Sequence, residues 1–256
     1  MLRRYFLLCI LGIAASAAPV CDISGVKAGS GLSANVSSGA LEVTWDGDAG
    51  QEGQLRLDID KGTPIVRSLA LRRKTGKWAV LVRNARPLYT IAQGKRRMSN
   101  QQMEPLVGLG VKITDEIKNK FKWDAFWDAP LDVPGTGNGN STNPPPDLPR
   151  SESELFRGAV SYHVESCSAK TDGARLEVSF PGVTLGSFQG KLQFTVYRGT
   201  NLVRQEIVAS TTADSVAYKY DTGWDGLGVE AGTRLAWRDL SGSWQENKLG
   251  SAANSR

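Results

Sequence analysis

Apolar and polar residues alternate along two well-separated stretches of this chain. In the first, Leu55, Leu57 and Ile59 alternate with Arg56, Asp58 and Asp60; in the second, Leu192, Phe194 and Val196 alternate with Gln193, Thr195 and Tyr197. Successive side chains of a strand point to opposite faces, so each stretch predicts a strand with one apolar and one wet face. Lys61-Gly62-Thr63-Pro64 and Arg198-Gly199-Thr200-Asn201 follow as turns, since glycine accepts the positive φ of a tight reversal, and Ile65-Val66 and Leu202-Val203 open the returning strands. A hairpin with one apolar side is marginal alone and has to bury that side against another sheet.

The two hairpins are also written with the same residues. Gly53, Leu55, Gly62, Thr63, Val66 and Arg67 of the segment Gly53–Arg67 recur as Gly190, Leu192, Gly199, Thr200, Val203 and Arg204 of Gly190–Arg204. Upstream, Leu41-Glu42-Val43-Thr44 matches Leu176-Glu177-Val178-Ser179, with a two-residue difference in the intervening turn. The copies lie too far apart for a solenoid, whose repeats run roughly 20–50 residues. The pattern predicts a mainly β protein: a large antiparallel β-sandwich built from two duplicated halves, with one short helix between them.

Further short strands are expected at Leu41–Trp45, Gln54–Asp60, Ile65–Arg72, Trp78–Arg83 and Leu88–Ala92, and again at Phe156–Ser166, Arg175–Phe180, Lys191–Arg198, Leu202–Thr211, Ser215–Asp221 and Thr233–Asp239. Residues 18–40, rich in Gly, Ser and Ala, read as an extended lead-in with little core. The first β half covers 41–133 and carries the helix at 114–127, where Thr114 is the expected N-cap and Ile117, Phe121 and Ala125 form an apolar stripe. Residues 134–154, dense in Pro, Gly and Asn, read as a flexible linker. The second β half covers 155–240, and 241–256 read as a disordered or truncated tail.

Composition adds a compartment. Arg3-Arg4, the apolar run from Tyr5 to Ala15 and the small-x-small Ala15-Ser16-Ala17 predict a signal peptide at 1–17, hence a secreted or periplasmic protein with no membrane attachment after cleavage. Cys9 would leave with the leader. Cys21 and Cys167 then remain as either a disulfide, expected in an oxidising compartment, or two buried thiols. The formal charge of +5 falls by two to +3 without Arg3 and Arg4. The dense basic clusters, Arg72-Arg73-Lys74 and Lys95-Arg96-Arg97, sit beside turns, so no nucleic-acid partner is expected.

Candidate chemistry is sparse. The single histidine, His163, would share a strand face with Glu165; with Tyr162 it is the only acid–base candidate, against the alternative of a surface pair. No Gly-x-Ser-x-Gly elbow exists, and no metal site or cofactor is expected. Asp46 to Glu52 alternates oxygens and glycines as calcium loops do but lacks the distal glutamate, and reads as a turn. Trp123, Trp127 and Trp224 with Asp225 are candidate ligand-binding residues, because an aromatic face suits the C–H face of a sugar and a carboxylate its hydroxyls; the alternative is that these rings fill the core.

The duplicated sandwich, the leader and the segment Ser187–Arg204, with Gly199-Thr200-Asn201-Leu202-Val203-Arg204 its most telling stretch, resemble the galactose-mutarotase-like β-supersandwich domains of secreted bacterial polysaccharide lyases and glycosidases. That family's mutarotases work with several histidines, which this chain lacks. The resemblance therefore implies a non-catalytic module that binds polysaccharide or oligosaccharide, or serves as a scaffold in polysaccharide processing. The alternatives are the N-terminal part of a lyase or glycoside hydrolase, and a cell-envelope structural protein.

Overall fold

The computed structural model describes residues 21–27, 29, 31–95, 100–117, 151–214, 216–227 and 233–248. In chain order the strands are β1 (Cys21–Gly25), β2 (Leu32–Ser37), β3 (Ala40–Asp46), β4 (Gln51–Asp60), β5 (Thr63–Arg73) and β6 (Ala79–Lys95). After the helix α1 (Asn100–Gly108) come β7 (Phe156–Ala159), β8 (Ser161–Tyr162), β9 (Cys167–Asp172), β10 (Arg175–Leu185), β11 (Phe188–Tyr197), β12 (Val203–Ser210), β13 (Val216–Asp225), β14 (Arg234–Arg238) and β15 (Trp244–Lys248).

One sheet runs β1-β9-β10-β11-β12 and the other β13-β6-β5-β4-β3-β2; β8 and β7 add short pairings to β10 and β6. All pairs are antiparallel except β1–β9. The apolar sides of both sheets meet in one interior, where Leu41, Val43, Leu55 and Leu57 of one layer join Leu176, Phe180, Leu192 and Phe194 of the other, all essentially unexposed. The sandwich and its repeated ribbons are as the alternation predicts: β3-β4-β5 and β10-β11-β12 are equivalent meanders, one in each layer.

The equivalence is not residue for residue. Leu41 lies opposite Leu57, whereas Leu176, its match in the text, lies opposite Val196, the counterpart of Ile59. The two extra residues before the second hairpin slide that strand by two positions, and because the side-chain period is two, every residue keeps its face. The turns differ as well. Lys61 and Gly62, both at positive φ, close a two-residue loop between Asp60 and Thr63. In the second copy the chain leaves the ladder after Tyr197 and returns only at Val203.

Several expected boundaries move. The lead-in contributes β1 and β2, and its Leu32 is 2% exposed. Trp78–Arg83 and Leu88–Ala92 merge into the single long strand β6, and the expected Phe156–Ser166 strand breaks into the short β7 and β8, with β9 beginning only at Cys167. The helix α1 was not expected. Of the predicted 114–127 helix, Asp115–Ile117 are helical, with Thr114 Oγ1 accepting from the Ile117 amide at 3.3 Å as an N-cap does; the remainder lies outside the described residues. The supposed tail holds β15, paired with β14 around a turn in which Asp239 Oδ1 accepts from the Ser241 and Ser243 amides. The predicted leader and residues 134–150 of the predicted linker also lie outside the described residues; residues Glu152–Glu154 form a 3-10 turn. Among the described residues no helix is long and apolar enough to cross a membrane.

Candidate functional site

The two layers part on one flank, where their edge strands β12 and β13 leave a cleft of about 390 Å³. Its walls follow from alternation. On β12, Val203, Gln205, Ile207 and Ala209 point inward, because Gln205 lies opposite the buried Phe194 and Ile207 opposite the buried Leu192. On β13, Tyr218, Tyr220 and Thr222 share one face and line the cleft; on β6, Tyr89 and Ile91 form its floor. Phe188 meets Tyr218 edge-on at 4.9 Å between centroids, and Tyr218 and Tyr220 lie nearly parallel at 6.4 Å. Both tyrosines are more than half exposed, at 54% and 56%, so a flat aromatic surface faces solvent at the mouth.

The floor is polar in a way the interior does not satisfy. Tyr89 is 3% exposed, yet its Oη has no hydrogen-bond partner among the described residues, and neither has the buried Oε1 of Gln205. Leaving such a group unpaired costs on the order of 1–3 kcal/mol. Burial pushes the Tyr89 phenol above its usual pKa; Gln205 and Thr222 stand near enough to oppose this, though neither meets hydrogen-bond geometry. At the rim, Arg204 Nη2 contacts Glu206 Oε2 at 2.5 Å, and the Tyr197 phenol, followed by Glu206, raises the arginine's pKa. The end of the cleft is braced: Gln93 donates to Ser187 Oγ at 2.8 Å, accepts from the Ser187 amide at 2.9 Å, and Thr211 Oγ1 donates to the same hydroxyl.

The residues singled out from the sequence fall elsewhere. Trp224 lies on the same face of β13 as Tyr218 and Tyr220, half-buried against the core and opposite Pro87, and is not among the residues that line the cleft. Asp225 beside it is exposed and pairs in register with Arg86. Trp123 and Trp127 lie outside the described residues. Tyr162 donates from Oη to the Pro87 carbonyl at 3.0 Å and is packed against the core, where burial and then the Tyr89 phenol raise its pKa. His163 is exposed, with Nε2 3.1 Å from Ser161 Oγ. Neither lines the cleft, and the nearby Arg157 is held by Glu152. The structure does not bring this constellation together.

Cys21 and Cys167 are joined in a disulfide, directly opposite each other in the β1–β9 pair with Cα atoms 4.4 Å apart. Among the described residues no group of three or more His, Cys, Asp or Glu side chains is placed to hold a metal ion. In the Asp46–Glu52 turn, Glu52 bonds Arg72 and Asp46 faces Lys74.

The cleft residues carry a signal in the sequence. Tyrosines at the alternate positions 218 and 220 of Val216-Ala217-Tyr218-Lys219-Tyr220, and a glutamine at the inward position of Val203-Arg204-Gln205-Glu206-Ile207, are both unusual for a face turned toward a core. No family model, no curated protein and no solved structure matches the chain. The functional reading therefore rests on the geometry of the cleft.

Proposed function

We propose that this protein is an exported, non-catalytic β-sandwich module that binds polysaccharide or oligosaccharide in the cleft between β12 and β13. The observation that carries this is the pairing of two half-exposed, nearly parallel tyrosines at the mouth with unsatisfied polar atoms on the floor. A sugar ring offers an apolar C–H face to the tyrosines and hydroxyls to the floor, which is the mixed apolar lining and few convergent polar groups expected of a ligand pocket. The size, about 390 Å³, lies in the lower part of the range for small-ligand sites. Export is supported by the leader pattern and by the Cys21–Cys167 bridge, since such bridges persist in oxidising compartments.

Affinity electrophoresis of the mature chain through gels containing plant or bacterial polysaccharides tests the reading. Retention on at least one polysaccharide is expected, and Tyr218→Ala or Tyr220→Ala should weaken it about tenfold by removing a stacking surface. Unretarded migration in every gel would remove the sugar claim.

A further inference from the structure

Resting on that glycan reading, we infer that the cleft is a subsite for an uncharged pyranose, one hydroxyl of which bridges Tyr89 Oη and Gln205 Oε1 on the floor. A buried phenol has a proton to donate, and an amide oxygen has lone pairs to receive one. Each is buried and lacks a partner among the described residues, and Tyr89 and Gln205 both line the same cleft. A single ligand atom that satisfies both has to accept from the phenol and donate to the amide. A hydroxyl does both; a carboxylate accepts from Tyr89 but meets the Gln205 oxygen with lone pairs and no proton.

The rim leads to the same choice. Arg204 is the cation at the cleft mouth, and its guanidinium already contacts the Glu206 carboxylate at 2.5 Å. An incoming acid would have to compete with Glu206 for Arg204 while being repelled by the carboxylate it displaced. A neutral ring pays neither penalty, and its apolar face still covers Tyr218 and Tyr220.

Isothermal titration of the mature chain with maltohexaose, cellohexaose, xylohexaose and hexagalacturonate tests this. At least one neutral oligosaccharide is expected to bind, with hexagalacturonate about tenfold weaker or worse. Tyr89→Phe and Gln205→Leu, which keep the bulk of each side chain, should each weaken neutral-sugar binding about tenfold. Thermal melting is run on both variants, and the comparison of neutral with acidic ligands needs only the unmodified protein. Tighter binding of hexagalacturonate would overturn the inference. So would folded Tyr89→Phe and Gln205→Leu proteins that bind as the unmodified chain does while Tyr220→Ala has lost affinity; the glycan reading would then survive. Binding of none of the four, together with unretarded migration in the polysaccharide gels, would remove both.

Discussion

Tyr89 and Tyr162 are two phenols held in the interior for different ends. Tyr162 uses its proton on the Pro87 carbonyl at 3.0 Å, while Tyr89 Oη, at the cleft floor, has no hydrogen-bond partner among the described residues. In both, burial is the main cause of a pKa raised above the ordinary 10.0. The folded state therefore favours the neutral phenols. Their contribution to stability is complete below the unfolded value near pH 10 and is lost as pH rises through the higher folded values. The melting temperature should fall on the alkaline side, and Tyr89→Phe/Tyr162→Phe should flatten that fall between pH 9 and 11; an unchanged alkaline limb in the double variant would contradict it. Near neutral pH, Tyr162→Phe should cost about 1 kcal/mol for the lost bond to Pro87, measured by denaturant unfolding. His163, by contrast, stands out only as the lone histidine, and rarity in a composition says nothing about whether neighbouring side chains converge on it.

The hairpins were legible because alternation is a local signal: Leu55 and Leu192 each lie at 0% exposure, on the faces that their neighbours dictate. What the text of the repeat does not convey is the shape of the second turn, since that is set by contacts between the copies. Trp45 Nε1 donates to the Thr200 carbonyl at 2.8 Å, and Asn201 donates to Gln51 at 2.6 Å while accepting from the Asp48 amide. These bonds draw Thr200 and Asn201 out of the second hairpin, so the same Gly-Thr pair that closes a tight turn at Gly62 opens a longer loop at Gly199. Gly53 belongs to this arrangement. A Cβ there would come within 2.2 Å of the Trp45 ring, and Trp45 is 1% exposed. Gly53→Ala should destabilise by about 1–3 kcal/mol, as overpacking does, whereas Trp45→Ala, leaving a cavity and an unpaired Thr200 carbonyl, should cost about 3–5 kcal/mol. Denaturant titrations of the two variants decide whether the ring is packed this tightly. The cleft was harder to read because it belongs to no single element: Tyr89, Gln205 and Tyr218 come from three strands, and only sheet order makes them neighbours.

At the scale of the whole molecule the halves are interleaved rather than juxtaposed. The first-half sheet takes its edge strand β13 and the short β7 from the second half of the chain, while the second-half sheet takes β1 from the beginning. The disulfide spans 146 residues and fixes that exchange at β1. On the chain-entropy model, closing so long a loop contributes about 5 kcal/mol, so reduction should lower the melting temperature markedly. Interleaving also has a consequence that a pair of autonomous repeats would not have. Residues 21–133 alone retain β2 to β6 but lose β7, β13 and the whole opposing layer, leaving Leu41, Val43, Leu55 and Leu57 with nothing to cover them. Residues 151–256 alone keep β9 to β12 but lose β1 and the facing sheet, and β13 is left without β6. An isolated sheet with one bare apolar face does not offset the entropy of ordering its backbone. Expressed separately, each half should therefore give collapsed amide dispersion in proton–nitrogen NMR spectra, and mixing them should restore the dispersed spectrum of the intact chain. A dispersed, cooperatively melting spectrum from either half by itself would show that each ribbon builds a core of its own, and the cleft between β12 and β13 would then be a contact between two domains rather than a feature of one interior.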